Sequence, residues 1–217
     1  MQEFKNIGYH LWQMDEGLIQ AVEEEVEEVR QTIDFTTPNG LVNHKGFLKR
    51  TVPHLEQAIG ERIKSYNLTY GYPHSLRVLE HGRSLKLDQV WVNWMSKHEY
   101  YNMHSHGGVM SWVIWLNIPY TRASEIAARP YVPPEVNYAG QFAFHYTNAL
   151  GQQACEMLNT YNDWRGVLCI FPSALNHSVM PFYSSDDLRV SIAGNFYFDL
   201  GAEDLIKTRP ESKNILG

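Results

Sequence analysis

His104-Ser105-His106-Gly107-Gly108-Val109-Met110-Ser111-Trp112-Val113-Ile114-Trp115-Leu116-Asn117-Ile118 is the stretch on which the reading of this chain turns. Residues 109–118 are dominated by β-branched and aromatic side chains, which suit a strand. Residues 89–95 form a similar run upstream, so the His-x-His pair falls between two strands, in extended chain. Residues i and i+2 of a strand point to one face. Two imidazoles side by side repel when both are protonated, and are compatible when both are neutral and share a cation. Gly107 and Gly108 allow a close approach of backbone or ligand. A His-rich turn between two strands is the other reading of the same residues.

Working outward, further strand-like runs fall at 141–146, 166–171, 177–182 and 188–198. Several lack strict polar alternation, which predicts cover on both faces. The first third differs. Leu18, Val22, Val26, Val29 and Ile33 recur at helical spacing, and Glu23, Glu24, Glu25, Glu27 and Glu28 read as that helix's solvated face. After a break at Pro38-Asn39-Gly40, a second stripe runs through Val52, Leu55, Ile59 and Ile63, with Thr51 as N-cap and Pro53 in the first turn. The expected fold is mainly β with N-terminal helices: an antiparallel barrel or sandwich with helices packed on one sheet. We expect a single domain over 1–217, made of a helical support region at 1–75, a β core at 76–200 and a C-terminal tail at 201–217. Residues 120–140, with three prolines, read as a long structureless excursion, either a lid or a plain surface loop.

Composition narrows the function. The 217 residues carry a formal net charge of −6 and no basic tract, which argues against a nucleic-acid backbone as partner. No apolar run approaches the roughly 20 residues that span a bilayer, and the start of the chain lacks a secretion-signal pattern. The cytoplasm is the expected compartment. Cys155 and Cys169 have no metal-type spacing, and a disulfide between them is not required by anything in the sequence.

Two distant elements bear on the His-x-His pair. The buried run 166–173 ends in a turn, and His177 follows, 71 positions after His106. That interval is too long for a zinc-finger clip and suits strands that converge in a barrel. The turn at 184–187 lets the flanking strands pair as a hairpin. On the second of them Arg189 and Ser191 share one face, Val190 and Ile192 the other. A guanidinium inside a barrel requires a carboxylate, which it can bind bidentately. A pairing with Asp186 or Asp187 at the turn is the competing explanation of Arg189.

His104-Ser105-His106, Ser111-Trp112-Val113-Ile114-Trp115, Phe171-Pro172-Ser173, His177-Ser178-Val179 and Arg189-Val190-Ser191 occur in that order. Together they resemble the 2-oxoglutarate- and Fe(II)-dependent oxygenase superfamily, in particular a branch common in marine bacteria and phages. The resemblance covers roughly residues 88–198. It implies a double-stranded β-helix, or jelly roll, with helices packed on one sheet. It implies Fe(II) as metal, 2-oxoglutarate as cosubstrate, His177 as distal ligand, and Arg189 with Ser191 as the grip on the far carboxylate of 2-oxoglutarate. The implied reaction is O₂-dependent hydroxylation of a small-molecule or peptide substrate.

The chain departs from the family pattern at one place. Most of the superfamily uses His-x-Asp or His-x-Glu, and here His106 takes the acidic position. The expected metal set is His104, His106 and His177, with Asn102 and Ser105 as candidate supports for the imidazoles. An all-histidine face also suits a metal dioxygenase independent of 2-oxoglutarate. A non-enzymatic jelly-roll binding module, with Trp91, Trp94, Trp112 and Trp115 lining a groove, is the third reading.

Overall fold

A computed structural model describes residues 8–35, 44–76 and 84–199. The Pro38-Asn39-Gly40 break and the 201–217 tail lie outside them. Among the described residues ten strands form two antiparallel sheets in a jelly-roll arrangement. The larger sheet contains β1 (His10–Gln13), β2 (His44–Leu48), β3 (Leu85–Met95), β5 (Met110–Asn117), β8 (Val167–Pro172) and β10 (Arg189–Phe198), in the order β1-β8-β5-β10-β3-β2. The smaller contains β4 (Tyr101–His104), β6 (Phe142–Thr147), β7 (Gln153–Leu158) and β9 (Asn176–Val179), in the order β4-β9-β6-β7.

Helices α1 (Glu16–Arg30) and α2 (Val52–Tyr70) cover the outer face of the larger sheet. Asp15 caps α1 by accepting from the Leu18 N–H. The buried stripe of α1 runs through Ile19, Val22 and Val26, while Leu18, Val29 and Ile33 only flank it. The α2 stripe of Leu55, Ile59 and Ile63 lies as expected and gains Tyr66. These residues meet Val90, Val92, Trp94, Trp112, Ile114 and Ile192 of the sheet in one core. Each fully buried aliphatic side chain there contributes about 1.5–3 kcal/mol. The inner face of the sheet packs a second core against the smaller sheet, built on Val113, Trp115, Phe142, Phe144 and Phe171.

Three sequence expectations differ from the structure. The glutamate run is not uniformly solvated: Glu25 is buried, and its carboxylate accepts from the backbone N–H groups of Lys49, Arg50 and Thr51 and from the Thr51 hydroxyl. Burial pushes its pKa up, but these donors outweigh it and hold the carboxyl below the ordinary value. Thr51 occupies the N-cap of α2 but spends its hydroxyl on Glu25 instead of capping. The 120–140 excursion is not structureless either. It contains α3 (Arg122–Ala128), which starts with a Thr121–Ser124 capping box. Buried Glu125 ties α3 to the backbone N–H groups of Tyr183 and Ser184, at 2.9 and 3.0 Å.

Candidate active site

The two sheets leave a cavity of about 180 Å³ between them. His104 closes β4 and is the register partner of His177 on β9. That pairing sets their rings 4.3 Å apart, centroid to centroid. β4 ends at His104, so strand alternation does not place His106. Its backbone N–H instead donates to the Ser173 carbonyl at 2.9 Å. Buried Ser111 links the Ser173 side chain to Asn195, at 2.9 and 2.6 Å, and so braces the turn that receives His106. The His106 ring lies 5.0 Å from each of the other two. One ring nitrogen from each histidine can be chosen so that all three lie within 4.8 Å of one another.

Tautomers favour a cation. His104 Nδ1 lies 2.7 Å from the Asn102 carbonyl and His177 Nδ1 lies 3.0 Å from the Leu175 carbonyl. A proton on each Nδ1 satisfies these carbonyls and leaves both Nε2 lone pairs free. Asn102 thus supports His104 through its main chain, and Ser105 makes no hydrogen bond to a ring. Burial, then the neighbouring His104, pushes the pKa of His106 down to about 4. Burial also pushes His177 down to about 3, opposed by the Leu175 carbonyl and reinforced by the other two rings. Both are therefore neutral at pH 7, the form in which imidazole ligates a metal. Phe142 stacks on His177 at 5.4 Å and Phe171 meets its edge, an apolar wall that screens the ring from water. Among the described residues no carboxylate joins the cluster. Glu99 instead accepts from the Ser96 N–H, outside the site.

Arg189 begins β10 beside Met95 of β3 and is 3 % exposed. One terminal nitrogen donates to the Tyr120 hydroxyl at 2.8 Å, to the Met180 carbonyl at 3.1 Å and, more weakly, to the Gly140 carbonyl at 3.4 Å. The other meets the Met95 sulfur at 3.2 Å. Tyr120 donates its own proton to Gly140 O, so its oxygen is free to accept from Arg189. Gly140 has φ 76° and lies against the Tyr120 ring, where a Cβ would clash; both constraints require glycine. Among the described residues no carboxylate pairs with Arg189. The turn does not supply one: Asp186 pairs with Lys97. Ser191 lines the same cavity, while Val190 and Ile192 join the helix-side core, as the alternation predicts.

Sequence reasoning missed Lys45, which enters the cavity from β2. Its ammonium lies over the rings of Trp91 and Tyr101, at 5.9 and 5.6 Å from their centroids. The residue as a whole is exposed at the sheet edge, and desolvation by its neighbours pulls its pKa below the usual lysine value. The signal was weak, because β2 carries a glycine and no alternation. The tryptophans do not form one groove: Trp94 and Trp112 are fully buried in the helix-side core. None of residues 121–139 lines the cavity. Both cysteines are free, Cys155 exposed and Cys169 buried.

Comparison with known proteins bears on the family and the fold. Residues 89–195 match the family model described as "Putative 2OG-Fe(II) oxygenase". The match supports the 2-oxoglutarate- and Fe(II)-dependent oxygenase superfamily, a class of oxidoreductase enzymes, for this part of the chain. At the level of fold, the chain is similar to a prolyl-4-hydroxylase from Pseudomonas putida, at 13 % identity and TM-score 0.56, covering 88 % of this chain and 93 % of that one. It is similar also to HygX from Streptomyces hygroscopicus, solved with nickel and 2-oxoglutarate, at 10 % identity, TM-score 0.55 and coverage of 89 % and 84 %. A third is a Trichoplax adhaerens prolyl hydroxylase in complex with a hypoxia inducible factor peptide, at 12 % identity, TM-score 0.54 and coverage of 94 % and 88 %. No curated protein sequence matches the chain.

Proposed function

We propose that this protein uses Fe(II), 2-oxoglutarate and O₂ to hydroxylate a small-molecule or peptide substrate. One observation carries the reading: a buried guanidinium with no carboxylate partner shares a cavity with three clustered histidines. His104, His106 and His177 would hold the metal. Arg189, assisted by Ser191, would hold the far carboxylate of 2-oxoglutarate, supplying the counter-ion that the described protein lacks. Bound iron and cosubstrate supply oxygen activation coupled to decarboxylation. The chain contributes neutral imidazoles, a guanidinium fixed by Tyr120, and an apolar wall that excludes water. No described helix is long and apolar enough to cross a membrane. The two free cysteines support a reducing compartment, the cytoplasm.

The test is succinate release from 2-oxoglutarate in air, with Fe(II) and a panel of small acids, sugars and peptides. Fe(II)-dependent succinate formation that vanishes in Arg189→Met is expected. The all-histidine cluster favours one rival, a dioxygenase that needs no keto acid. Oxygen uptake without consumption of 2-oxoglutarate would support it and overturn the proposal.

A further inference from the structure

The cavity has a second cation that the reading above leaves unused. Lys45 lies opposite Asn93 in the β2–β3 pairing, and Asn93 lies opposite Ser191 in the β3–β10 pairing. The three form one cross-sheet row on the cavity face, about 10 Å long at the usual strand spacing. Lys45 therefore lies two strands from Ser191, at the sheet edge, while Arg189 is buried deeper along β10. Its ammonium is directed over Trp91 and Tyr101 and has no hydrogen-bond or ion-pair partner among the described residues. Among the described residues no aspartate or glutamate lines the cavity.

The charge balance gives this lysine a role. In a loaded site the divalent metal and the cosubstrate dianion cancel. A carboxylate at position 106 would have offset further positive charge, but a histidine stands there. Arg189, buried, and Lys45, exposed at the sheet edge, then leave the cavity with uncompensated cationic charge, which favours an anion. Arg189 is engaged by the cosubstrate in that reading. Lys45 lines the same cavity as His104 and His106, with an indole and a phenol ring as walls.

We infer that Lys45 is a specificity-determining residue that binds an oxyanion, a carboxylate or phosphate ester, carried by the primary substrate, with Trp91 and Tyr101 flanking the adjoining apolar part. This rests on the oxygenase reading, since it assigns the arginine to 2-oxoglutarate and the lysine to the second substrate. An ammonium is a compact point charge and accepts either oxyanion, so the geometry fixes the charge and not the acid.

The experiment uses the full chain loaded with Zn(II) and saturating 2-oxoglutarate, with ligand-observed NMR on matched probes. The probes are 4-methylbenzoate against 4-methylbenzamide, cyclohexanecarboxylate against its amide, and phenyl phosphate against phenol. At least one anion should bind about tenfold or more tightly than its neutral partner, as loss of one charge-assisted contact implies. The preference should vanish in Lys45→Gln and persist in Lys45→Arg. Phenyl phosphate binding above both carboxylates would assign a phosphate ester, and the reverse order a carboxylate. Equal binding of charged and neutral partners, no binding of any anion, or a preference that survives Lys45→Gln would overturn the inference. Bound 2-oxoglutarate is followed in the same samples. Its failure to bind would instead indict the oxygenase reading.

Discussion

Replacing Arg189 with methionine separates a cosubstrate grip from a structural arginine. The guanidinium is 3 % exposed and has no carboxylate partner among the described residues. After substitution Gly140 O keeps its bonds from Tyr120 and Thr160, at 2.8 and 2.9 Å. Met180 O is the acceptor left short of a donor, at a cost of about 1–3 kcal/mol. Against this, a buried cation with no counter-ion disappears, which relieves a penalty of the order of several kcal/mol. The two effects nearly offset. Ligand-free Arg189→Met should therefore stay within about 2 kcal/mol of the parent, roughly 4–8 °C in Tm for a chain of this size. Breaking a closed internal ion pair would cost about 3–5 kcal/mol. The second arm adds 2-oxoglutarate. At a hundredfold excess over its Kd the parent should gain about 2.7 kcal/mol, and the variant nothing. Thermal melts of Zn(II)-loaded protein with and without 2-oxoglutarate read both arms. A ligand-free loss above about 4 kcal/mol, or an equal 2-oxoglutarate shift in the two proteins, would refute the reasoning.

Further expectations concern the histidines and Glu25. Burial pushes His106 and His177 down to about 4 and about 3, below the ordinary histidine value of about 6.5. Their contribution to apoprotein stability is thus present above pH 6.5. It is lost as pH falls toward those folded values, because the unfolded chain takes up protons that the folded site refuses. Urea denaturation between pH 4.5 and 6 should show His177→Asn with a pH slope shallower by about 1.4 kcal/mol per unit, one proton's worth; an unchanged slope would mean that His177 is not held neutral. His106→Ala should lower Zn(II) affinity by more than about a hundredfold, beyond what loss of an outer support does; chelator competition measures it, and an unchanged affinity would remove His106 from the ligand set. Glu25→Gln keeps the shape but turns an amide NH₂ toward backbone donors. Chemical denaturation should show a loss of about 2–4 kcal/mol, whereas a solvated Glu25 would cost almost nothing.

Much of the jelly roll was legible because its central strands are buried on both faces. β3, β5, β8 and β10 are runs of Val, Ile, Trp and Phe that no other element explains. The strands that escaped notice lie at or near sheet edges. β2 and β7 mix glycine, charge and cysteine, and only their partners make them strands. His104, His177 and Arg189 were visible as residues separated in sequence that the β topology brings together. The reason His106 joins them was not visible: a single backbone hydrogen bond to Ser173, from a chain segment 67 positions away, does what strand alternation was expected to do. Glu25 was hidden for a similar cause, since nothing local distinguishes a solvated charge from one turned inward by a partner distant in sequence. Lys45 stays exposed, and only the β2–β3 pairing brings it to the cavity rim.

Anaerobic addition of Fe(II) and then 2-oxoglutarate is the most direct test of a histidine-held metal opposed by an arginine. A weak visible charge-transfer band should appear in the parent protein. It should be absent in His177→Ala at any cosubstrate concentration, and in Arg189→Met at cosubstrate levels that saturate the parent. A parent protein that binds Fe(II) but shows neither the band nor any binding of 2-oxoglutarate would contradict the account.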